Sequence, residues 1–253
     1  MVQFRMLNTP VLVMYLCFSF LPLLTGQQQG EYPTLSNFDQ VTSSQIYEEQ
    51  IAYSIAEKPF GSGYASWCEA WVKHIYSTPC DQNPLAASTE NRNDHEQVGP
   101  VFFLAGTLGG TIERTATISA TQGIFFPVLN YVATYPCPYA GFKPAPGQSL
   151  KDFLMRKATE MVDQGTHMSV TLDDMRISDL IPYRVTTDLF YFNALPELTC
   201  LDACVTGELQ PALADGYWIM LRPLSPGRHK LQYKASYPKV GWVMDVMYYL
   251  NVE

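Results

Sequence analysis

From about residue 100 onward the chain alternates short apolar runs with breaks rich in glycine and proline. Residues 101–106 (VFFLAG) are bounded by Pro100 and the glycines of GTLGG. Residues 111–118 (TIERTATI) alternate, with Ile112, Arg114, Ala116 and Ile118 on one side. GIFFPVL follows the turn-prone SATQG. The pattern predicts three strands in close succession. Residues 167–172 and 175–178 predict a hairpin turning at Asp173-Asp174, a weaker turn signal than Asp-Gly. LFYFNA predicts a further strand. The C-terminal third predicts three more: GYWIML, HKLQYKASY and WVMDVMYYLNV, separated by PLSPG and PKVG. GYWIML is apolar on both faces and belongs at the centre of a sheet, whereas HKLQYKASY buries Leu231 and Tyr233 and wets Lys230, Gln232 and Lys234. The two are expected to pair as an antiparallel hairpin through residues 223–227.

Helical periodicity appears in three places. Ser43-Ser44 caps a predicted helix over residues 43–57, stopped by Pro59 and Gly61. Ser66 and Glu69 form a capping box before the stripe Trp67, Cys68, Trp71, Val72 and Ile75. Ser149 and Asp152 cap a third stripe running from Leu150 through Phe153, Leu154, Ala158, Met161 and Val162, closed by Gly165. Turns spaced by about 8–12 residues between aromatic and β-branched strands indicate a mainly β fold. The expectation is an antiparallel β-sandwich, jelly-roll or immunoglobulin-like, with two or three peripheral α-helices, built as one domain over residues 61–253 behind an N-terminal segment, residues 27–60.

Residues 1–26 have a different texture. Arg5 is the only charge before Glu31, residues 11–24 are apolar, and Thr25-Gly26 precede a polar glutamine cluster. This is the pattern of a secretory signal peptide cleaved near Gly26. Pro22 interrupts the run, which is shorter than the roughly 20 residues that span a bilayer. An uncleaved anchor is the alternative, since Leu24 suits the cleavage recess poorly. No later run approaches spanning length, so no membrane span is expected in the mature chain.

Without residues 1–26 the balance is 15 basic against 24 acidic residues, a net −9. That balance, with no basic cluster, argues against nucleic acid as a partner. Five cysteines remain, and export makes Cys80, Cys137, Cys200 and Cys204 disulfide candidates. The four-residue spacing suggests Cys200–Cys204, and neighbouring prolines in predicted loops make Cys80–Cys137 the next pair, leaving Cys68 as a buried thiol.

Several motifs are taken together as a resemblance. W-x3-W, GPVFFLAGTLGG, GIFFPVLN and ADGYWIMLRPLSPGRHKLQY, in that order over about residues 64–250, resemble a group of uncharacterised secreted proteins, mostly bacterial. The phrases FFLAGT, FFPVLN and ADGYWIMLRPLSPGRH carry most of the likeness. It implies a shared secreted domain and no mechanism. The stretch from Leu221 to Tyr233 is also similar to the closing hairpin of immunoglobulin-like sandwiches, a likeness of architecture only.

Reactive motifs are sparse. GTLGG lacks the lysine and spacing of a phosphate loop and reads as a turn. Neither G-x-S-x-G nor H-E-x-x-H occurs. His74, His95, His167 and His229 are far apart in sequence, and residues 81–97 offer oxygen donors without the calcium-loop order. No metal or cofactor is expected. One constellation stands out: Arg114 on an apolar strand side, Asn130 at the end of FFPVLN, Asp215 before GYW, and His229 after a Pro-Gly turn. Gathered at one sheet edge they would orient a ligand; separated, they serve as buried salt bridges and turn caps. The expected function is a secreted, non-catalytic binding or surface-interaction protein for an extracellular ligand, carbohydrate or protein. An extracellular hydrolase using dispersed carboxylates or a histidine is the alternative.

Overall fold

The computed structural model describes residues 51–86 and 97–253. Among the described residues, ten strands form two five-stranded sheets, and two α-helices, α1 (Tyr64–Tyr76) and α2 (Leu150–Val162), accompany them. The strands are β1 (Val101–Phe103), β2 (Gly110–Ile118), β3 (Gly123–Thr134), β4 (Thr166–Leu172), β5 (Met175–Ile177), β6 (Arg184–Thr186), β7 (Phe190–Asn193), β8 (Leu209–Leu221), β9 (Gly227–Tyr237) and β10 (Trp242–Val252). The first sheet runs β1-β3-β8, with β6 and β7 both on the far side of β8. The second runs β2-β10-β9-β4-β5.

The sheets are mixed, which corrects the expected antiparallel jelly-roll or immunoglobulin-like topology. β1 pairs parallel with β3, and β2 pairs parallel with β10. The chain leaves β1, contributes β2 to the other sheet, and returns to lay β3 beside β1. Alternation identified these segments as strands but carried no information about which sheet each would join. The expected hairpin of GYWIML with HKLQYKASY is also corrected. β8 lies in the first sheet and β9 in the second, so residues 222–226 step between layers instead of reversing a ladder. Stacked sheets lie about 10 Å apart, a gap that a five-residue link can span. The C-terminal hairpin is β9 with β10. β8 does lie inside its sheet, between β3 and the pair β6 and β7.

Other expectations hold. Asp173 and Asp174 both take positive φ, at 49° and 66°, and turn β4 into β5. Ser149 Oγ accepts from Asp152 N at 3.1 Å and donates to Asp152 Oδ2 at 2.7 Å at the start of α2. Helix α1 starts two residues before the expected Ser66 cap, after Gly63, with no side-chain cap. Of the first predicted helix, residues 43–50 lie outside the described residues. It does not extend to Glu57: Ala52 bridges Leu221, and Tyr53 N donates to Met220 O at 2.9 Å.

Three apolar clusters hold the layers. Between the sheets, Phe126, Ile219, Leu231, Tyr233, Val246 and Tyr248 are buried together. Beneath α1, Trp71 meets Trp218 edge-on at 5.4 Å, and Trp218 stacks on Phe125 at 5.6 Å. Phe153, Leu154 and Ala158 of α2 pack with Ala133 and Leu213. Both helices therefore cover strands of the first sheet.

The four candidate cysteines are all bonded, and Cys68 is a buried free thiol. The partners differ from expectation: Cys80 joins Cys200, and Cys137 joins Cys204, with Cα separations of 6.6 and 4.3 Å. Pro196–Cys200 is a 3-10 helix rather than an α-turn, so it does not set Cys200 over Cys204. Leu195 N donates to Tyr76 O at 3.1 Å, bringing this segment to the end of α1 and to Cys80. Tyr135 N donates to Pro211 O at 3.1 Å, holding the approach to Cys137 beside the start of β8. Among the described residues no helix is long and apolar enough to cross a membrane.

Candidate functional site

Arg114 points from β2 into the space between the sheets and is 1% exposed. Its guanidinium donates to Ala105 O at 2.7 Å, Gly106 O at 2.9 Å and Tyr248 Oη at 2.9 Å, and also to Pro84 O. Tyr233 and Tyr248 donate to the same Ala105 carbonyl at 2.7 and 2.9 Å. The buried charge thus ties the β1–β2 connection to the second sheet, because carbonyls in a turn have no ladder partner and need donors.

Asp215 is fully buried on β8. It accepts from Arg184 Nη2 at 2.6 Å and Thr186 Oγ1 at 2.7 Å. Arg184 Nη1 also reaches Asp163, the residue closing α2, at 2.7 Å. One guanidinium therefore clamps β8, β6 and α2 together. Asn130 lies opposite Gly216 in the β3–β8 ladder, next to the Tyr131–Asp215 pair. At Gly216 an added Cβ would lie 2.5 Å from Leu129 O and 2.7 Å from Asn130 Cβ, which explains the glycine after Asp215.

His229 stands at the start of β9 in the other sheet. Its Nδ1 is 2.6 Å from Asp173 Oδ2, and its Nε2 is 2.9 Å from Ser225 O. Both partners accept only, so this arrangement favours the imidazolium, in which both ring nitrogens donate. Burial pushes its pKa down, but the Asp173 carboxylate and the Ser225 carbonyl outweigh that, and the net shift is upward. A raised folded-state pKa means the stabilisation is complete below the unfolded value, about 6.5, and is lost as pH rises through the folded one. The stability margin of the wild type over His229→Gln is therefore expected to be full at acid pH and to shrink as pH rises past the unfolded value through the raised folded one. Denaturant midpoints across that range measure it, and a constant margin would refute the charged clasp.

The four sequence-selected residues do not form one site. Asn130 and Asp215 are neighbours in the first sheet; Arg114 and His229 belong to the second, each with its own partners. His95, Asn91, Asn93 and Asp94 lie outside the described residues. Among the described residues no three His, Cys, Asp or Glu side chains group as a metal site. A further, half-buried acid carried no signal in the sequence. Asp202 accepts from Tyr76 Oη at 3.1 Å and from Cys204 N at 2.8 Å, and burial raises its pKa. It sits two residues from a bridged cysteine and acts as a clasp.

A different surface gathers solvent-facing chemistry: the outer face of the second sheet. Cross-strand register places Lys230, Tyr249 and Thr115 in one row. The next rows are Thr171, Gln232, Met247 and Glu113, then Ser169, Lys234, Asp245 and Thr111. Tyr249 is 44% exposed, and its hydroxyl donates to Glu113 Oε2 at 3.4 Å. Asp245 accepts from Gln232 Nε2 at 2.7 Å and pairs with Lys234 Nζ at 2.8 Å. With strands about 4.8 Å apart, five strands make a face roughly 19 Å wide. Its signal in the sequence was the polar half of the alternation in β2, β9 and β10; only their register turns three stripes into one surface. No family model, no curated protein and no solved structure matches the chain.

Proposed function

We propose that this is a secreted, non-catalytic binding protein that holds a carbohydrate chain on the outer face of the second sheet. The carrying observation is the exposed ring of Tyr249 set among amide, carboxylate, ammonium and hydroxyl side chains. An aromatic face packs against the C–H side of a sugar, while neighbouring polar groups meet its hydroxyls. The rows around the ring are polar and threonine-rich, which suits a hydroxyl-bearing ligand better than the apolar core of a protein partner. The N-terminal apolar segment and two disulfides support export to an oxidising compartment.

The hydrolase alternative draws less support from the groups that suggested it. His229 has both nitrogens engaged, and Asp215 is enclosed by Arg184 and Thr186. Affinity electrophoresis against soluble neutral and acidic polysaccharides tests the reading. At least one polysaccharide should retard the protein, and Tyr249→Ala should weaken that binding about tenfold without shifting the thermal midpoint. Failure of every polysaccharide to retard the wild type would remove the proposal. Release of new reducing ends would favour the hydrolase.

A further inference from the structure

The charges on the outer face of the second sheet are unevenly shared. Among the described residues, the outward positions of its strands carry four cations, Arg176, Arg228, Lys230 and Lys234, against two carboxylates, Glu113 and Asp245. Beyond residue 26 the chain holds 15 basic residues against 24 acidic ones. A cationic excess on one face therefore runs against the composition of the whole.

The register also divides the face by sign. Glu113 and Asp245 lie on β2 and β10, whereas the cations lie on β9 and β5. Both carboxylates are engaged: Asp245 pairs with Lys234 and accepts from Gln232, and Glu113 accepts from Tyr249. Arg176, Arg228 and Lys230 are exposed, and none of them forms an ion pair among the described residues. In the β4–β5 turn, Asp173 is held by the His229 ring and the Lys230 amide, and Asp174 is exposed at the tip. The three remaining cations flank Tyr249. Lys230 stands directly opposite it, a pairing that sets Cβ atoms about 5 Å apart. Arg228 is the next outward residue of β9, about 7 Å along the strand and opposite Asn251. Arg176 faces Thr171, which places it in the row of Gln232 and two strands, roughly 10 Å, from β9.

We propose that the carbohydrate held on this face is an anionic polysaccharide, whose acid groups meet Arg176, Arg228 and Lys230 while a sugar ring packs on Tyr249. The inference rests on the carbohydrate reading and narrows it to one class of chain. Guanidinium forks match the paired oxygens of a carboxylate or a sulfate, and the Lys230 ammonium meets either as a point charge. Three like charges beside one aromatic side chain repel one another, and acid groups on a bound chain relieve that repulsion. A neutral chain would leave them without partners. The negative net charge of the protein repels polyanions at long range, so their retention has to come from this patch and not from bulk charge.

Affinity electrophoresis at low salt against polygalacturonate, its methyl ester, dextran sulfate and dextran tests this. Polygalacturonate or dextran sulfate should bind the wild type about tenfold more tightly than its uncharged counterpart, and added salt should weaken that binding. Replacing the three cations together (Arg176→Gln, Arg228→Gln and Lys230→Gln) should lower the affinity about tenfold at an unchanged thermal midpoint. Lys239→Gln is the control. It removes an exposed charge from the turn Pro238–Val240, outside these rows, and should leave binding as it is. Equal binding of charged and uncharged chains, undiminished binding by the folded triple variant, or an equal loss in Lys239→Gln would overturn the inference and leave the carbohydrate reading in place. Retardation by none of the four polysaccharides, with or without co-sedimentation on anionic phospholipid vesicles, would remove both.

Discussion

Truncating Leu231 to alanine is expected to destabilise the protein by about 2–5 kcal/mol. Leu231 is fully buried between the sheets, with Tyr248 and Leu172 directly opposite on the flanking strands. Removing its branched end loses the transfer free energy of that surface and opens a cavity between two layers, each held in register by its ladder. Rigid walls collapse poorly, so the cavity contribution stays large. Lys230→Ala is the matched control. It removes an exposed side chain one position away and should change stability by no more than about 0.5 kcal/mol. Urea denaturation of both variants measures the difference. Equal losses would mean that β9 faces the opposite way.

Removing the Asp215 carboxylate should cost a similar amount. Asp215→Ala leaves Thr186 Oγ1 without its acceptor and takes from Arg184 the closer of its two carboxylates. Breaking a buried pair on one side typically costs about 3–5 kcal/mol. The Arg184 side chain is 31% exposed and keeps Asp163, so water and the second carboxylate offset part of the loss. The expected value is therefore near the lower end, about 3 kcal/mol. Asp215→Asn retains one acceptor and the shape, and should lose less. Denaturation midpoints rank the two. An alanine variant as stable as the wild type would show that the cluster contributes no net stability.

The polar residues singled out in the sequence divide by whether their partners were local. Ser149 and Asp152 were legible because a cap is closed within three residues. Arg114 was legible as a misfit, a charge on an apolar strand side, but its partners come from the β1–β2 connection, Pro84 and β10. Asp215 and Arg184 are 31 residues apart, and nothing in either segment announces the pairing. The same holds for His229 and Asp173, separated by 56 residues. The outer face of the second sheet was invisible for a further reason. Thr115, Tyr249 and Lys230 form a row only once β2 joins β10 in parallel and β9 joins it in antiparallel.

Period, punctuation and capping by themselves determined that residues 101–252 are mostly strands, that α1 and α2 exist near their observed limits, that Asp173-Asp174 turns, and that Cys68 is buried while four other cysteines are available to bond. These properties rest on side-chain alternation, backbone preference and neighbours a few positions away. Which strands share a sheet, and in which direction, was decided only by the tertiary structure. GYWIML and HKLQYKASY carry the signals of a hairpin, yet β8 is buried on both faces, between α1 and the second sheet, while β9 lies in that second sheet. The disulfide partners were decided the same way, because a cysteine bonds to whatever the packed layers bring within reach. Each such choice compares contacts distant in sequence, and their free energies exist only after the layers have met.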